Sequence, residues 1–323
     1  MTSKKELKKI FKKLVCLLLA LICALHLVSC NSSEPRSVSC PYPLRQLTML
    51  DEQTGWGLSL ENEILFTTNG IENFKTLKSY ETASFDRFVS AAFLDSRTAY
   101  TALFSLSDNQ LIVDRTSDSG ASWQQTQIDF EGYVDICDAG SLFLGFSDKQ
   151  HGYLLCCSTP AAGLMTKLLF STDDGGASFS FTADLSSTIT GYPQGITAVS
   201  EDNLYIAVTY HGIDSYLYQS SDRAKTWASV DIFPRTADVN YVDGYAPVFD
   251  RTHTDDNENG IILLKIVGEQ TAFQLFTTLD GGGHWAPGIE IPCENLLSYS
   301  IAGDGKLSII DNSDSGSSRI LIL

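Results

Sequence analysis

The stretch RTSDSGASW, residues 115–123, decides how this chain folds, because the chain rewrites it. FSTDDGGASF begins at residue 170, YQSSDRAKTW at 218 and LFTTLDGGGHW at 275, and a worn copy, LFTTNGIENF, begins at 65. Aligned, the copies obey Ser/Thr-x-Asp-x-Gly-x-Ser/Thr-Trp/Phe. Thr116, Asp118, Gly120, Ser122 and Trp123 fit fully, as do Thr172, Asp174, Gly176, Ser178 and Phe179. Ser220, Asp222, Thr226 and Trp227 fit with Ala224 in the glycine slot, and Thr278, Asp280, Gly282 and Trp285 fit with His284 in the hydroxyl slot. The first copy keeps Thr67, Asn69, Asn73 and Phe74. These are the parts of a tight turn. The Asp or Asn side chain accepts backbone N–H bonds of its own turn. Glycine takes a left-handed position, and the aromatic ring packs beneath the next strand. A pattern used five times reads as scaffold rather than active site.

Asn69 and the four aspartates are 49, 56, 48 and 58 residues apart, and periods of this size point to a propeller or array. Each unit reads as four short strands rich in β-branched and aromatic residues, with Gly, Asn and Asp between them. In the second unit these are RFVSAAFLD, TAYTALFSL, QLIVDRTSD and SWQQTQID. Four-stranded units repeated radially make an all-β propeller.

The repeat resembles the Asp-box, or BNR, repeat of sialidases, sortilin-type receptors and the photosystem II assembly-factor family. EQTGWGLS at 52, KQHGYLLC at 149 and NENGIILL at 257 share a second-strand slot. The Gly-Trp form of the first, Gly55-Trp56, is most similar to the assembly-factor propellers. The resemblance implies that the box turns lie between third and fourth strands, away from the central channel, and that their aspartates are structural.

Five boxes give five blades, and residues 295–323 begin a sixth. NSDSG at 312 mimics a box but comes too early, and the next true box would fall past residue 323. The last blade is therefore expected to lack its outer strand. Residues 38–44 are expected to supply it and close the ring, which removes open sheet edges. The reading is six blades, with seven as the alternative.

The first residues carry a different signal. MTSKKELKKIFKK holds six lysines, LVCLLLALICALHLVSC is an apolar run of secretory-signal length, and LVSC ends at Cys30. This resembles a bacterial lipobox, which implies lipidation of Cys30. The expected organisation is a signal peptide at 1–29, a lipidated tether at 30–37 and a propeller at 38–323. An exported protein held at the cell membrane by its N-terminal lipid follows from that resemblance. Two or more acyl chains would anchor it stably.

Of 22 Lys and Arg and 39 Asp and Glu, the signal removes six lysines and one glutamate. The 16 positive and 38 negative groups left give a formal net charge of −22. Such a surface repels phosphate backbones, so nucleic acid is not an expected partner. Eight cysteines are present, and Cys40, Cys137, Cys156, Cys157 and Cys293 remain beyond the lipid site. A Cys40–Cys293 disulfide tying the two ends together is possible in an oxidising compartment. Free buried thiols are the alternative. No cofactor and no metal site is expected. The acidic insertion at 250–260, DRTHTDDNENG, lacks the ordered spacing of a calcium loop and reads as solvated charge.

Sialidase resemblance also raises a glycoside hydrolase, which would need an arginine triad, a Tyr–Glu nucleophile pair and an acid Asp. Only nine arginines remain beyond the signal, and Arg45 in PLRQL is the nearest to the expected first position. A non-catalytic binding or assembly platform, monomeric and taking an envelope protein or glycan, is the favoured reading. Its candidate ligand residues are Tyr80, Tyr133, Tyr192, Tyr245 and Tyr299, spaced with the blades, plus Tyr241. Tyrosines around one mouth would bring contact area at low entropy cost. Packing between blades is the competing role.

Overall fold

A computed structural model describes residues 35–80, 89–105, 110–129, 139–161, 164–209, 215–233, 238–250, 259–313 and 316–323. Cys30, Tyr133, Cys137 and most of the acidic insertion lie outside the described residues.

Twenty-five strands are described, and they form six sheets arranged in a ring. Strand β1 (Arg36–Cys40) comes first. Blade one is β2 (Leu44–Met49), β3 (Gly55–Ser59), β4 (Glu63–Thr67) and β5 (Lys75–Ser79), from the channel outward. Blade two is β6 (Ser90–Phe93), β7 (Ala99–Ser105), β8 (Gln110–Thr116) and β9 (Gln124–Ile128). Blade three is β10 (Ala139–Phe146), β11 (Gly152–Ser158), β12 (Lys167–Thr172) and β13 (Ser180–Asp184). Blade four is β14 (Tyr192–Ala198), β15 (Leu204–Thr209), β16 (Leu217–Ser220) and the two-residue β17 (Ala228–Ser229). In blade five the inner strand is broken into β18 (Tyr241–Gly244) and β19 (Val248–Phe249). Both pair with β20 (Gly260–Val267), followed by β21 (Thr271–Thr278) and β22 (Ala286–Ile291). Blade six is β23 (Ser298–Ile301), β24 (Leu307–Ser313) and β25 (Ser318–Ile322), with β1 hydrogen-bonded outside β25.

The propeller therefore has six blades rather than seven, and an N-terminal strand completes the last one. That strand covers 36–40, slightly earlier than the 38–44 expected, because Leu44 already begins the innermost strand of blade one. NSDSG at 312 begins within β24, the second strand of its blade, and so is not a third-to-fourth-strand box.

The apolar core lies between blades rather than inside them. Five clusters of buried side chains fill the gaps from blade six through one, two, three and four to blade five. Strand β11 shows why. Its residues alternate faces with period two. Leu154 and Cys156 enter the cluster shared with blade two, while Tyr153, Leu155 and Cys157 enter the cluster shared with blade four. A strand buried on both faces must be apolar throughout, hence the run GYLLCCS.

The box turns have the geometry their sequence implies. Thr116 Oγ1 donates to Asp118 Oδ1 at 2.8 Å and accepts the Gly120 N–H at 3.0 Å. Asp118 accepts the Ser122 N–H at 2.9 Å and the Ser122 hydroxyl at 2.6 Å. The same set recurs at Asp174 and at Asp222. At Asp280 the His284 ring takes the hydroxyl's place, with Nδ1 2.6 Å from Oδ2. Two successive left-handed residues close each turn, such as Gly175 and Gly176 at φ 69° and 77°. Arg223 and Ala224 adopt the same pair of conformations in the fourth blade. The first copy is a different turn. Only Gly70 is left-handed, and Thr67 Oγ1 donates to the Gly70 carbonyl instead of to a carboxylate.

The ends are joined without a disulfide. Cys40 and Cys293 are free thiols, as are Cys156 and Cys157. This corrects the end-to-end pairing: Cys40 Sγ donates to the Ile71 carbonyl at 3.1 Å, and Cys293 turns toward Asp311. The link is instead the buried Ser318 hydroxyl, which accepts the Leu44 N–H at 2.7 Å and donates to the Tyr42 carbonyl at 2.8 Å.

Candidate functional site

Alternating strand direction places the first-to-second and third-to-fourth turns on one face of the ring. The blade-to-blade connections lie on the other, called here the loop side. The box turns therefore sit on the turn side, with a second set of turns nearer the channel. In that set Asp51, Asp95 and Asp148 each accept two backbone N–H bonds through Oδ1. Trp56, Tyr100 and Tyr153, five residues beyond each aspartate, donate to carbonyls of Asp95, Lys149 and Glu201 in the next blade. This Asp-to-aromatic spacing is a second internal repeat.

The channel is walled by the innermost strands, and neighbouring strands are stitched by single side-chain bonds. Gln46 Nε2 donates to the Ala91 carbonyl, Ser90 Oγ accepts the Leu144 N–H, and Thr197 Oγ1 donates to the Pro247 carbonyl. Tyr299 donates to the Ala246 carbonyl at 2.7 Å, and Ser300 Oγ accepts the Met49 N–H. A cavity of about 340 Å³ opens at the loop side and one of about 200 Å³ at the turn side, sharing part of their walls. The larger is within the size range of small-ligand sites.

Blade five shapes the loop-side mouth. Pro247 has no N–H to give the ladder, and the inner strand breaks at residues 245–247. The kink is pinned by Tyr299 on the Ala246 carbonyl and by the Tyr245 N–H on the Leu263 carbonyl. It presses on blade four, where a Cβ at Gly195 would stand 2.6 Å from that of Ala246. The result is that Tyr245 lines the cavity. Burial, with the Asp243 carboxylate nearby, pushes its phenol pKa up. Its hydroxyl makes no hydrogen bond to any described residue, and it shares the mouth with the exposed Gln194 and Leu297 and with Arg45.

The structure separates the tyrosines that blade spacing had grouped. Tyr80 follows the outer strand of blade one and is used internally. Its hydroxyl donates to Asp114 at 2.8 Å and contacts Thr101. Asp114 is buried and also pairs with Lys78 at 2.6 Å. Tyr299 is buried, with its hydroxyl spent on blade five. Tyr192 opens β14 and packs against the cluster between blades three and four. Tyr241 opens β18. Tyr245 alone of the five described candidates combines the cavity wall with a hydroxyl that bonds to no described residue. Arg45 and Gln194, absent from the candidate set, share its cavity, and only their place on inner strands could have pointed to them. Among the described residues no group of three or more His, Cys, Asp or Glu could hold a metal ion.

No protein-family model and no curated protein matches the chain. Solved propellers do. The soluble aldose sugar dehydrogenase of Escherichia coli is 10% identical, with 90% of this chain and 99% of that one covered and a TM-score of 0.56. The six-bladed, fucose-recognising Aleuria aurantia lectin is 12% identical, with 89% and 91% covered and a TM-score of 0.52. YCF48 bound to a D1 peptide is 12% identical, with 90% and 95% covered and a TM-score of 0.50. At such identities the likeness is one of fold.

Proposed function

We propose that this chain is an exported, lipid-anchored propeller that binds a partner protein at the loop-side mouth of its channel, without catalysis. One observation carries the reading. The kink of blade five holds Tyr245, whose hydroxyl bonds to no described residue, at a cavity rimmed by the exposed Leu297 and Gln194. An aromatic with a free polar tip beside exposed apolar surface is the composition of a recognition hot spot. YCF48, a propeller of like fold, was solved with a peptide bound, which is consistent with a protein partner. A glycoside hydrolase would place several arginines and paired carboxylates in the channel. Of the described residues lining the two cavities, Arg45 and Asp250 are the one arginine and the one carboxylate, at different ends. The anchor rests on the lipobox resemblance at Cys30.

The test is affinity capture from native membranes with the full chain, beside Tyr245→Ala and Leu297→Ser, each first shown to keep its melting temperature. A specific partner lost in both variants supports the reading. A partner retained by both moves the site elsewhere. A Cys30→Ala chain is expected in the soluble fraction, and its retention in membranes would refute the anchor.

A further inference from the structure

Arg45 pairs with no carboxylate of any described residue. It projects from β2 and lines the loop-side cavity. Its Nη2 donates to Asn62 Oδ1 and, at 2.8 Å, to the Val89 carbonyl. Both are neutral acceptors, so the side chain is held in place with its charge undiminished. The brace is itself built in. Asn62 is buried and left-handed, at φ 63°, a conformation Asn adopts more readily than most residues. No carboxylate of a described residue lies within ion-pairing distance of Arg45, although the chain is strongly acidic. Two of its nitrogens are unfilled. Nε is sealed from solvent with no acceptor, and a buried donor left so requires an explanation. Nη1 makes no hydrogen bond to a described residue and is not among the sealed atoms, and the residue lines the cavity. Burial pushes the guanidinium pKa down to about 10, which still leaves it protonated at neutral pH.

We propose that the loop-side mouth is a carboxylate site, in which Arg45 supplies the charge and the Gln194 amide and Tyr245 hydroxyl supply neutral donors. The proposal rests on the reading that this mouth is the binding surface, and it names the chemistry read there. A planar, singly charged carboxylate suits one guanidinium flanked by neutral donors. A phosphate dianion suits it less, because among the described residues no second cation lines this cavity and the acidic chain repels added negative charge. The carboxylate can be a chain terminus, an acidic side chain or a sugar acid.

Titration calorimetry on the full chain in detergent separates these sources. The probes are acetyl-trialanine with a free terminus, its amide, the amide of acetyl-Ala-Glu-Ala, glucuronate and inorganic phosphate. At least one carboxylate probe is expected to bind, with the trialanine amide and phosphate silent, and the binder identifies the source. Arg45→Gln should weaken it about tenfold or more, the size of a lost charged hydrogen bond. Should Arg45→Gln unfold, Gln194→Ala serves, because that side chain is exposed and bonds to nothing described. It should weaken binding by a smaller factor. Binding of no carboxylate, equal binding of the amide or phosphate, or unchanged affinity in both variants overturns the site. Partner capture that survives Arg45→Gln but fails in Tyr245→Ala would keep the platform and overturn this site. Carboxylate binding with no partner captured would do the reverse.

Discussion

Thr172→Val tests the claim that the recurrent turns hold the blades. The replacement keeps the shape of the side chain and exchanges a hydroxyl for a methyl. Thr172 Oγ1 donates to Asp174 Oδ1 at 2.8 Å and accepts the Gly176 N–H at 2.9 Å and the Asp174 N–H at 3.3 Å. Thr172 and Gly176 are both buried. The variant leaves the Gly176 N–H without an acceptor and without water, at a cost of about 1–3 kcal/mol. Burying the new methyl returns up to about 0.8 kcal/mol. The aspartate lies near solvent and its loss of a donor adds little. The net expectation is about 1–2 kcal/mol, or a Tm lower by about 2–8 °C at the 2–4 °C per kcal/mol typical of large domains. Thr116→Val should match it, since Thr116 bonds Asp118 and Gly120 in the same way. Thr67→Val is the control. Its hydroxyl accepts only the N–H of the exposed Asn69 and donates to the half-buried Gly70 carbonyl. That change should cost below about 1 kcal/mol, because water replaces the lost partner. Calorimetric melting and urea unfolding of the three variants decide it. Equal costs at Thr172 and Thr67, within about 0.5 kcal/mol, would refute the view that the carboxylate-centred turn is the stabilising unit.

Other expectations follow from the same geometry. Hydrogen bonds from Ser122 and Thr226 hold the Asp118 and Asp222 carboxyls down at about 2. Their contribution is complete above the unfolded value of about 4 and is lost as pH falls toward 2. The urea midpoint should therefore drop across that window and drop less in an Asp118→Asn, Asp222→Asn chain; equal slopes would exclude the box aspartates as the cause. Ser318→Ala should cost about 1–3 kcal/mol by orphaning the buried Leu44 N–H, and an unchanged Tm would show that the ends are joined elsewhere. Burial raises the thiol of Cys40 to about 11 and that of Cys157 to about 12, and raises Cys156 and Cys293 as well. Iodoacetamide at pH 8 should spare all four until the chain unfolds, and a Cys40–Cys293 cross-linked peptide in mass spectra would contradict the free pair. Tyr299→Phe removes the hydroxyl that pins Ala246. It should weaken binding at the mouth with Tyr245 itself intact, whereas unaltered binding would leave Pro247 as the sole cause of the kink.

The blade count and the ring closure were legible because both depend on period and chain length. A box every 48–58 residues and a last blade short of one strand leave few other solutions. Radial position was not legible, since every residue of a repeat recurs at the repeat's own period. Tyr80 and Tyr299 are thus in step with the blades, yet one follows an outer strand and the other lies on an inner one. The spacing from Asp51 to Trp56, Asp95 to Tyr100 and Asp148 to Tyr153 was open to inspection but weaker than the box, having two fixed positions rather than five. The broken strand of blade five had a visible cause in Pro247, but its effect on Tyr245 depends on the neighbouring Gly195 and Tyr299, which no local pattern joins. The cysteines follow the same logic. Proximity of two chain ends does not align two sulfurs, and Ile71 and Asp311 take the thiols instead.

The two faces of the ring divide scaffold from recognition. On the turn side the carboxylates of Asp118, Asp174, Asp222 and Asp280 are committed to their own turns, and little hydrogen-bonding capacity is left there for a ligand. Among the described residues of the loop-side cavity, the groups with spare capacity are Arg45, Gln194 and Tyr245, from blades one, four and five. They reach one cavity only because the ring is closed and its inner strands are stitched together. Side chains mounted on strands of a closed barrel-like wall are held more tightly than side chains on loops. A weak site with few donors gains from that, since less freedom remains to be lost on binding. The repeated turn and the lone arginine are thus linked. The boxes fix the blades, and the fixed blades hold the Arg45 guanidinium at the channel mouth with no carboxylate of a described residue beside it.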